Sequence, residues 1–361
     1  MKKVICFYSG YTGDSFHGLN YQKKNIYGSE INLIHLAENL SSQYTIYVLV
    51  WNLKKNDQEL VYHNIHYIDC NNYELIKDKI DVLIINRYIN FFIHLPNNAK
   101  KTIVWIQDLI AHYSYKNTHL DQKGKYFLLN IDNSIDKYIT LTNFHKKYFQ
   151  TFYDHKIKDH KIKIIGNGLL QKKPIPFQLL NEKRKKKRFL FCSEPVRGLT
   201  HFLNFIQKLQ ENDDEISVAI FRSNNYDEEI IEKIKNIKNI TVYNTSSQEI
   251  LFQEFLTCEF LLYTCTFLET FCNIAMEAQY HGCICIYNSF GALNETISDR
   301  GLILEGFPKD ECFIEKNINT IRMFIKNEQE KNRLQMMAYE YANRQYYSDI
   351  ASQWVEMIEN L

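Results

Sequence analysis

Glu269 and Glu277 stand eight residues apart, across a point where a buried strand gives way to a helix. Around them the chain reads Phe260-Leu-Leu-Tyr-Thr-Cys265, then Thr-Phe-Leu-Glu269-Thr-Phe-Cys-Asn-Ile-Ala-Met-Glu277-Ala. An apolar run, a loop and a helix start form the layout that binds phosphate in α/β proteins. Backbone N–H groups at a helix N-terminus lack intrahelical partners and carry a partial positive charge. The first carboxylate is expected on the loop at the mouth of such a site, and the second about two turns into the helix. Eight helical positions span roughly 12 Å, about the reach of a nucleoside diphosphate with a sugar attached. One carboxylate can then hold sugar hydroxyls and the other a ribose diol, with a diphosphate on the amides between.

Strand-like runs alternate with helix-like stretches along the whole chain, the pattern of parallel α/β sheets. In the first half the strands are expected near Val4–Tyr8, Thr45–Val50, Asp81–Ile85, Thr102–Ile106, Lys137–Leu141 and Lys161–Ile165. Ser29–Leu40 carries apolar residues at helical spacing directly after Gly28. Pro174 and Pro176 and the charge run Glu182-Lys-Arg-Lys-Lys-Lys-Arg188 mark a domain boundary. The alternation then restarts at Phe189 and continues through Ile216–Ile220, Ile240–Tyr243, Phe260–Tyr263, Cys283–Tyr287 and Leu302–Leu304. Beyond Pro308 the pattern is helical. The expected division is a first domain over 1–168, a solvated linker over 169–188, a second domain over 189–338 and a helical segment over 339–361 packing back on the first domain.

At 361 residues the chain fits two domains of ordinary size, and 45% hydrophobic with 24% charged residues is a soluble globular profile. The net charge of +1 gives no reason to propose nucleic acid as a partner. No apolar run approaches the ~20 residues that span a bilayer. The start, Met-Lys-Lys-Val-Ile-Cys-Phe-Tyr, reads as a first strand rather than a signal peptide. Nine cysteines without a Cys-x-x-Cys pair read as buried, reduced thiols in the cytoplasm.

These blocks, in their order, resemble the retaining, nucleotide-sugar-dependent glycosyltransferases of the GT-B fold, specifically glycosyltransferase family 4 (group 1). Tyr27-Gly28-Ser29-Glu30 is similar to the family's glycine-rich turn after the first strand. Lys137-Tyr-Ile-Thr-Leu-Thr-Asn-Phe-His-Lys-Lys147 and Lys163-Ile-Ile-Gly-Asn-Gly168 resemble its end of the first domain. Ser193-Glu-Pro-Val-Arg197-Gly198-Leu199 resembles its second-domain opening, and Glu269 with Glu277 its Glu-x7-Glu signature. The resemblance implies an α/β architecture of two Rossmann-like domains facing each other across a cleft. It also implies transfer of a sugar from a nucleoside diphosphate to a glycan, lipid-linked or protein-linked acceptor. By resemblance Glu269 contacts the transferred sugar, Glu277 the nucleotide ribose, and Arg197 with Gly198 the diphosphate. The amides of Thr270, Phe271 and Cys272 support the donor, while Gly28 and Ser29 serve the diphosphate or acceptor side. The departing phosphate would act as base, with no cofactor and no metal, since no Asp-x-Asp is present.

Two departures from the family pattern stand out. Where relatives often carry His-Asp, this chain reads Gln107-Asp108, with His112 placed as a partial substitute one helical turn on. A second basic residue before the Arg–Gly pair is missing, and Arg222 is the candidate replacement. Gln107 motivates an alternative reading, a non-catalytic protein that binds sugar nucleotides or glycans. Each residue alone also has a plainer reading: a solvated loop glutamate, a turn-capping arginine, packed histidines. Peripheral membrane contact through residues 144–149 stays open, as does the oligomeric state.

Overall fold

The computed structural model describes residues 2–10, 15–20, 28–53, 59–113, 122–170, 175–221, 228–244 and 247–361. The chain divides into two compact units, Met1–Leu170 with Tyr346–Leu361, and Gln171–Gln345.

The first unit is built on β1 (Val4–Tyr8), β2 (Thr45–Val50), β3 (Glu59–Tyr62), β4 (Ile65–Asp69), β5 (Val82–Asn86), β6 (Lys101–Trp105), β7 (Lys137–Thr140) and β8 (Ile162–Ile164). They form one sheet in the order β3-β4-β2-β1-β5-β6-β7-β8, parallel except for the β3–β4 pair. Its central strands, such as Val-Leu-Ile-Ile-Asn of β5, are buried on both faces, which is why they read as unbroken apolar runs. β3 and β4 are absent from the expected strands. β3 is a short edge strand whose exposed and half-buried residues alternate, so it offers no apolar run to read. The helix Tyr347–Glu359 returns to this unit. Trp354 meets Trp105 of β6 edge to face at 5.1 Å, and the Tyr347 hydroxyl donates to Asn32 Oδ1 at 2.6 Å.

The second unit holds β9 (Lys185–Phe191), β10 (Ser217–Phe221), β11 (Ile240–Tyr243), β12 (Cys258–Tyr263), β13 (Ile284–Asn288) and β14 (Leu302–Leu304). Their order is β11-β10-β9-β12-β13-β14, all parallel. In each sheet the chain builds outward on one side and then returns to build the other. The order therefore reverses at β1/β5 in the first sheet and at β9/β12 in the second. Ligands of open α/β sheets bind outside the carboxyl ends of the strands at such a reversal.

Two expectations about boundaries are corrected. The basic run does not stay in a solvated linker, because β9 begins at Lys185. Carboxylates hold it there: Arg188 pairs with Glu254 at 3.1 Å, and the Lys187 amide donates to Glu259 at 2.6 Å. Position 339 falls inside the helix Glu328–Ala342, and the second unit runs on to Gln345. No helix among the described residues is long and apolar enough to cross a membrane.

Candidate active site

β9 and β12 are neighbours, so the loops leaving their carboxyl ends must lie side by side. The first loop turns through Pro195–Arg197 and enters the helix Leu199–Gln210 at Gly198. The second runs from Thr264 to Cys272 and enters the helix Asn273–Tyr280. The two are locked together. Gly198 has φ +129°, and a Cβ built there would lie 2.0 Å from the Thr264 carbonyl oxygen. Thr266 Oγ1 also donates to the Val196 carbonyl at 3.3 Å. The absence of a side chain at Gly198 thus admits the protein's own backbone, not the ligand approach expected from sequence. Gly198→Ala should destabilise the fold by about 3 kcal/mol or more, read by urea denaturation, because neither the carbonyl nor the φ can yield cheaply.

This lock brings Arg197 onto Glu269. Arg197 Nη1 donates to Glu269 Oε1, and the Tyr263 hydroxyl donates to the same oxygen at 2.6 Å. The guanidinium also lies over the Phe267 ring, 4.3 Å from its centroid. Glu269 is buried, while a third of the Arg197 side chain is exposed. The pair places a fixed carboxylate and a guanidinium, with its five donors, at the sheet's reversal point.

The backbone beneath Glu269 is held from several sides. Asn288, at the end of β13, accepts from the Cys265 amide at 2.7 Å and donates to its carbonyl at 3.0 Å. The Ala292 amide donates to the Glu269 carbonyl at 2.9 Å, and Thr296 Oγ1 donates to the Phe271 carbonyl. Cys272 is consequently forced to φ +73°, a left-handed conformation that costs a β-carbon-bearing residue on the order of 1–3 kcal/mol. Helical geometry therefore starts only at Asn273. The first-turn amides belong to residues 273–275 rather than to Thr270, Phe271 and Cys272, and Glu277 lies one turn into the helix, not two. Burial pushes the Cys272 thiol well above its ordinary range.

Glu277 is the fifth residue of that helix. Its backbone carbonyl accepts from the His281 amide and ring, but its carboxyl has no hydrogen-bond or ion-pair partner among the described residues. Its outer surface is partly exposed, yet loss of solvation pushes its carboxyl up to about 8. Burial raises the Cys192 thiol, just past β9, and the Glu277 carboxyl adds to that rise. A partnerless carboxyl with a raised pKa at a strand-order reversal is a ligand-binding candidate on physical grounds.

In the first unit, Gly28 opens the helix Gly28–Leu40. Ser29 Oγ donates to Glu30 Oε2 at 2.8 Å and accepts from Arg87 Nη1 at 3.4 Å. Arg87 grips Asp108 through Nε and Nη2, and His112 Nε2 lies 3.4 Å from Asp108 Oδ2. Burial holds His112 below its ordinary value, with Arg87 acting in the same direction and Asp108 opposing. The segment between Asp108 and His112 is not helical. His112 pairs with Tyr88 in an isolated bridge, so the expected helical turn there is replaced by a loop that still brings the two side chains together. Gln107 turns away from this group: its Oε1 accepts from Asn32 and Asn167 at 3.4 and 3.2 Å.

Arg222 lies outside the described residues. Sequence reasoning passed over Tyr263, Arg87, Glu30 and Asn288 as site residues. Arg87, Tyr263 and Asn288 end or directly follow apolar strand runs, and a polar residue there was the one signal that marked them.

The family described as glycosyl transferases group 1 matches residues 172–342, nearly the whole second unit. No curated protein matches the chain by sequence. Among solved structures, Anabaena HepE in complex with UDP shares 14% identity at a TM-score of 0.70, with 100% of both chains covered. A sucrose-phosphate synthase from Thermosynechococcus elongatus shares 12% at a TM-score of 0.74, covering 99% of each chain. The pneumococcal O-GlcNAc transferase GtfA, in complex with UDP and GlcNAc, shares 19% at a TM-score of 0.60; the match covers 80% of this chain and 58% of that longer one. The fold is that of these GT-B structures, and residues 172–342 belong to the family of group 1 glycosyl transferases.

Proposed function

We propose that the chain transfers a sugar, with retention and without a metal, from a nucleoside diphosphate to a hydroxyl of a glycan, lipid-linked or protein acceptor. The observation that carries this reading is the Arg197–Glu269 pair at the β9/β12 reversal, with Glu277, whose carboxyl has no partner among the described residues, one turn into the adjoining helix. Glycosyl transfer with retention passes through a positively charged sugar while negative charge gathers on the departing diphosphate. Arg197 supplies a fixed, always-charged fork for those oxygens. Glu269 takes hydroxyls of the transferred sugar, and Glu277 takes the ribose diol. The leaving phosphate receives the acceptor proton, so no protein nucleophile is required. UDP stands in the HepE and GtfA structures, which makes uridine nucleotides the first to try.

Thermal-shift measurements on the purified chain with UDP-, GDP-, ADP- and TDP-sugars test the donor. One class should raise Tm by several degrees at concentrations far above its Kd. That donor should release its sugar to acceptor or water at an equal rate with and without EDTA. Binding without sugar release argues against catalysis, and loss of transfer in EDTA argues against metal independence.

A further inference from the structure

Tyr263 closes β12 and is buried in the apolar layer formed with Leu190, Cys192, Cys265 and Cys272. Its ring fills a place that any large apolar side chain could fill. Its hydroxyl does something an apolar side chain could not, because it donates to Glu269 Oε1 at 2.6 Å. Having spent its proton there, the hydroxyl accepts from Ser193 Oγ, 3.4 Å away and two residues past the end of β9. Arg197 Nη1 donates to the same Glu269 oxygen from the loop that follows Ser193. Two donors from two different elements therefore converge on Oε1. A carboxylate held this way cannot rotate about its terminal torsion without breaking both bonds. Oε2 has neither of these donors, and it is not among the buried polar atoms left without a partner.

From this geometry we infer that Tyr263 is a positioning residue for transfer: with Arg197 it clamps Glu269 Oε1, so that Oε2 is the oxygen presented to the sugar. The inference rests on the reading of Glu269 as the group that meets the transferred sugar. Arg197 alone does not suffice as a clamp. A third of its side chain is exposed, and the diphosphate competes for the same guanidinium once a donor binds. The Tyr263 hydroxyl, sealed in the layer below, keeps its bond through that exchange. A charge-assisted hydrogen bond of this kind orients its acceptor strongly where water is excluded.

The test uses the full chain and the sugar nucleotide that gives the largest thermal shift in the panel above. Tyr263→Phe removes one oxygen and keeps the ring. It should lower kcat about tenfold to a hundredfold, the rate equivalent of one charge-assisted hydrogen bond. Donor KM should stay within about twofold, because ribose and diphosphate contacts are untouched. In a Glu269→Gln background the same change should cost less than about threefold, since the charge it orients is gone. Replacing Tyr263 by 4-amino-phenylalanine, which restores a donor at similar reach, should recover most of the rate. Unchanged kcat in Tyr263→Phe, equal losses in both backgrounds, or a folded 4-amino variant with no recovery would each overturn the assignment. A wild-type chain that binds no sugar nucleotide sinks the donor reading first. Wild-type turnover with an indifferent Tyr263→Phe sinks this one alone.

Discussion

Glu269→Gln is expected to lower kcat by at least about 100-fold, the range lost when one group that stabilises transition-state charge is removed. The substitution keeps the shape and an acceptor for the Tyr263 hydroxyl, so it does not leave that buried donor unsatisfied. It does leave the Arg197 cation without its counter-charge. Because a third of that side chain is exposed, the stability loss should stay near 1 kcal/mol. Rate and stability thus separate, and Tm read beside kcat distinguishes lost chemistry from lost fold. Arg197→Lys is the partner experiment. Lysine keeps the charge but not the planar fork, so a diphosphate would be held by a single point, and a comparable fall in kcat is expected. If both variants turn over donor at near wild-type rates, Glu269 and Arg197 have been given the wrong roles.

Glu277→Gln should make the chain more stable at pH 8 than the wild type, and about equally stable at pH 5. The sign follows from the carboxyl's pKa, pushed from the ordinary 4.5 to about 8 by burial alone. Below 4.5 both folded and unfolded chains carry the proton. Between 4.5 and 8 the unfolded chain gives it up while the folded chain keeps it, so stability falls with rising pH. Above 8 both are ionised and the loss levels off. With allowance for partial exposure, the penalty is on the order of 2–4 kcal/mol, or roughly 5 °C or more in the Tm of a unit this size. Gln does not titrate and escapes it. Melting curves for both proteins from pH 5 to 9 decide the matter, and parallel curves would mean that Glu277 is ordinarily solvated. Nucleotide binding should respond in the opposite sense. A ribose diol donates best to a carboxylate, so wild-type affinity for UDP should rise between pH 7 and 9 relative to Glu277→Gln, whose affinity should be lower throughout. Unchanged affinity in the variant would remove Glu277 from the ribose.

Much of the architecture could be read before any coordinates. Central parallel strands are buried on both faces, so β1, β5, β12 and β13 announce themselves as apolar runs with little polar interruption. The helix after Gly28 and the restart near residue 189 were equally visible, since periodicity and composition are local properties. β3 stayed hidden because an edge strand half in solvent has no such run. Cys272 misled for a different reason. Nothing in its residue type warns of φ +73°, which the bonds from Ala292, Thr296 and Asn288 impose on the loop around it. The basic run that opens β9 looked like linker because its partners Glu254 and Glu259 lie far along the chain.

Residue types alone determined that this chain alternates strand and helix, that its second half matches a sugar-transferase pattern, and that Glu269, Glu277 and Arg197 were the groups to watch. Tertiary structure alone decided that Arg197 and Glu269, 72 residues apart, meet at one carboxylate oxygen with Tyr263, and that the Glu277 carboxyl has no partner among the described residues. Strand order is the physical reason. Helix and strand formation are written in side chains a few positions apart, but which strands become neighbours depends on how the whole sheet buries its faces. Only once β12 lies against β9 do their two loops have a common edge on which to assemble a site.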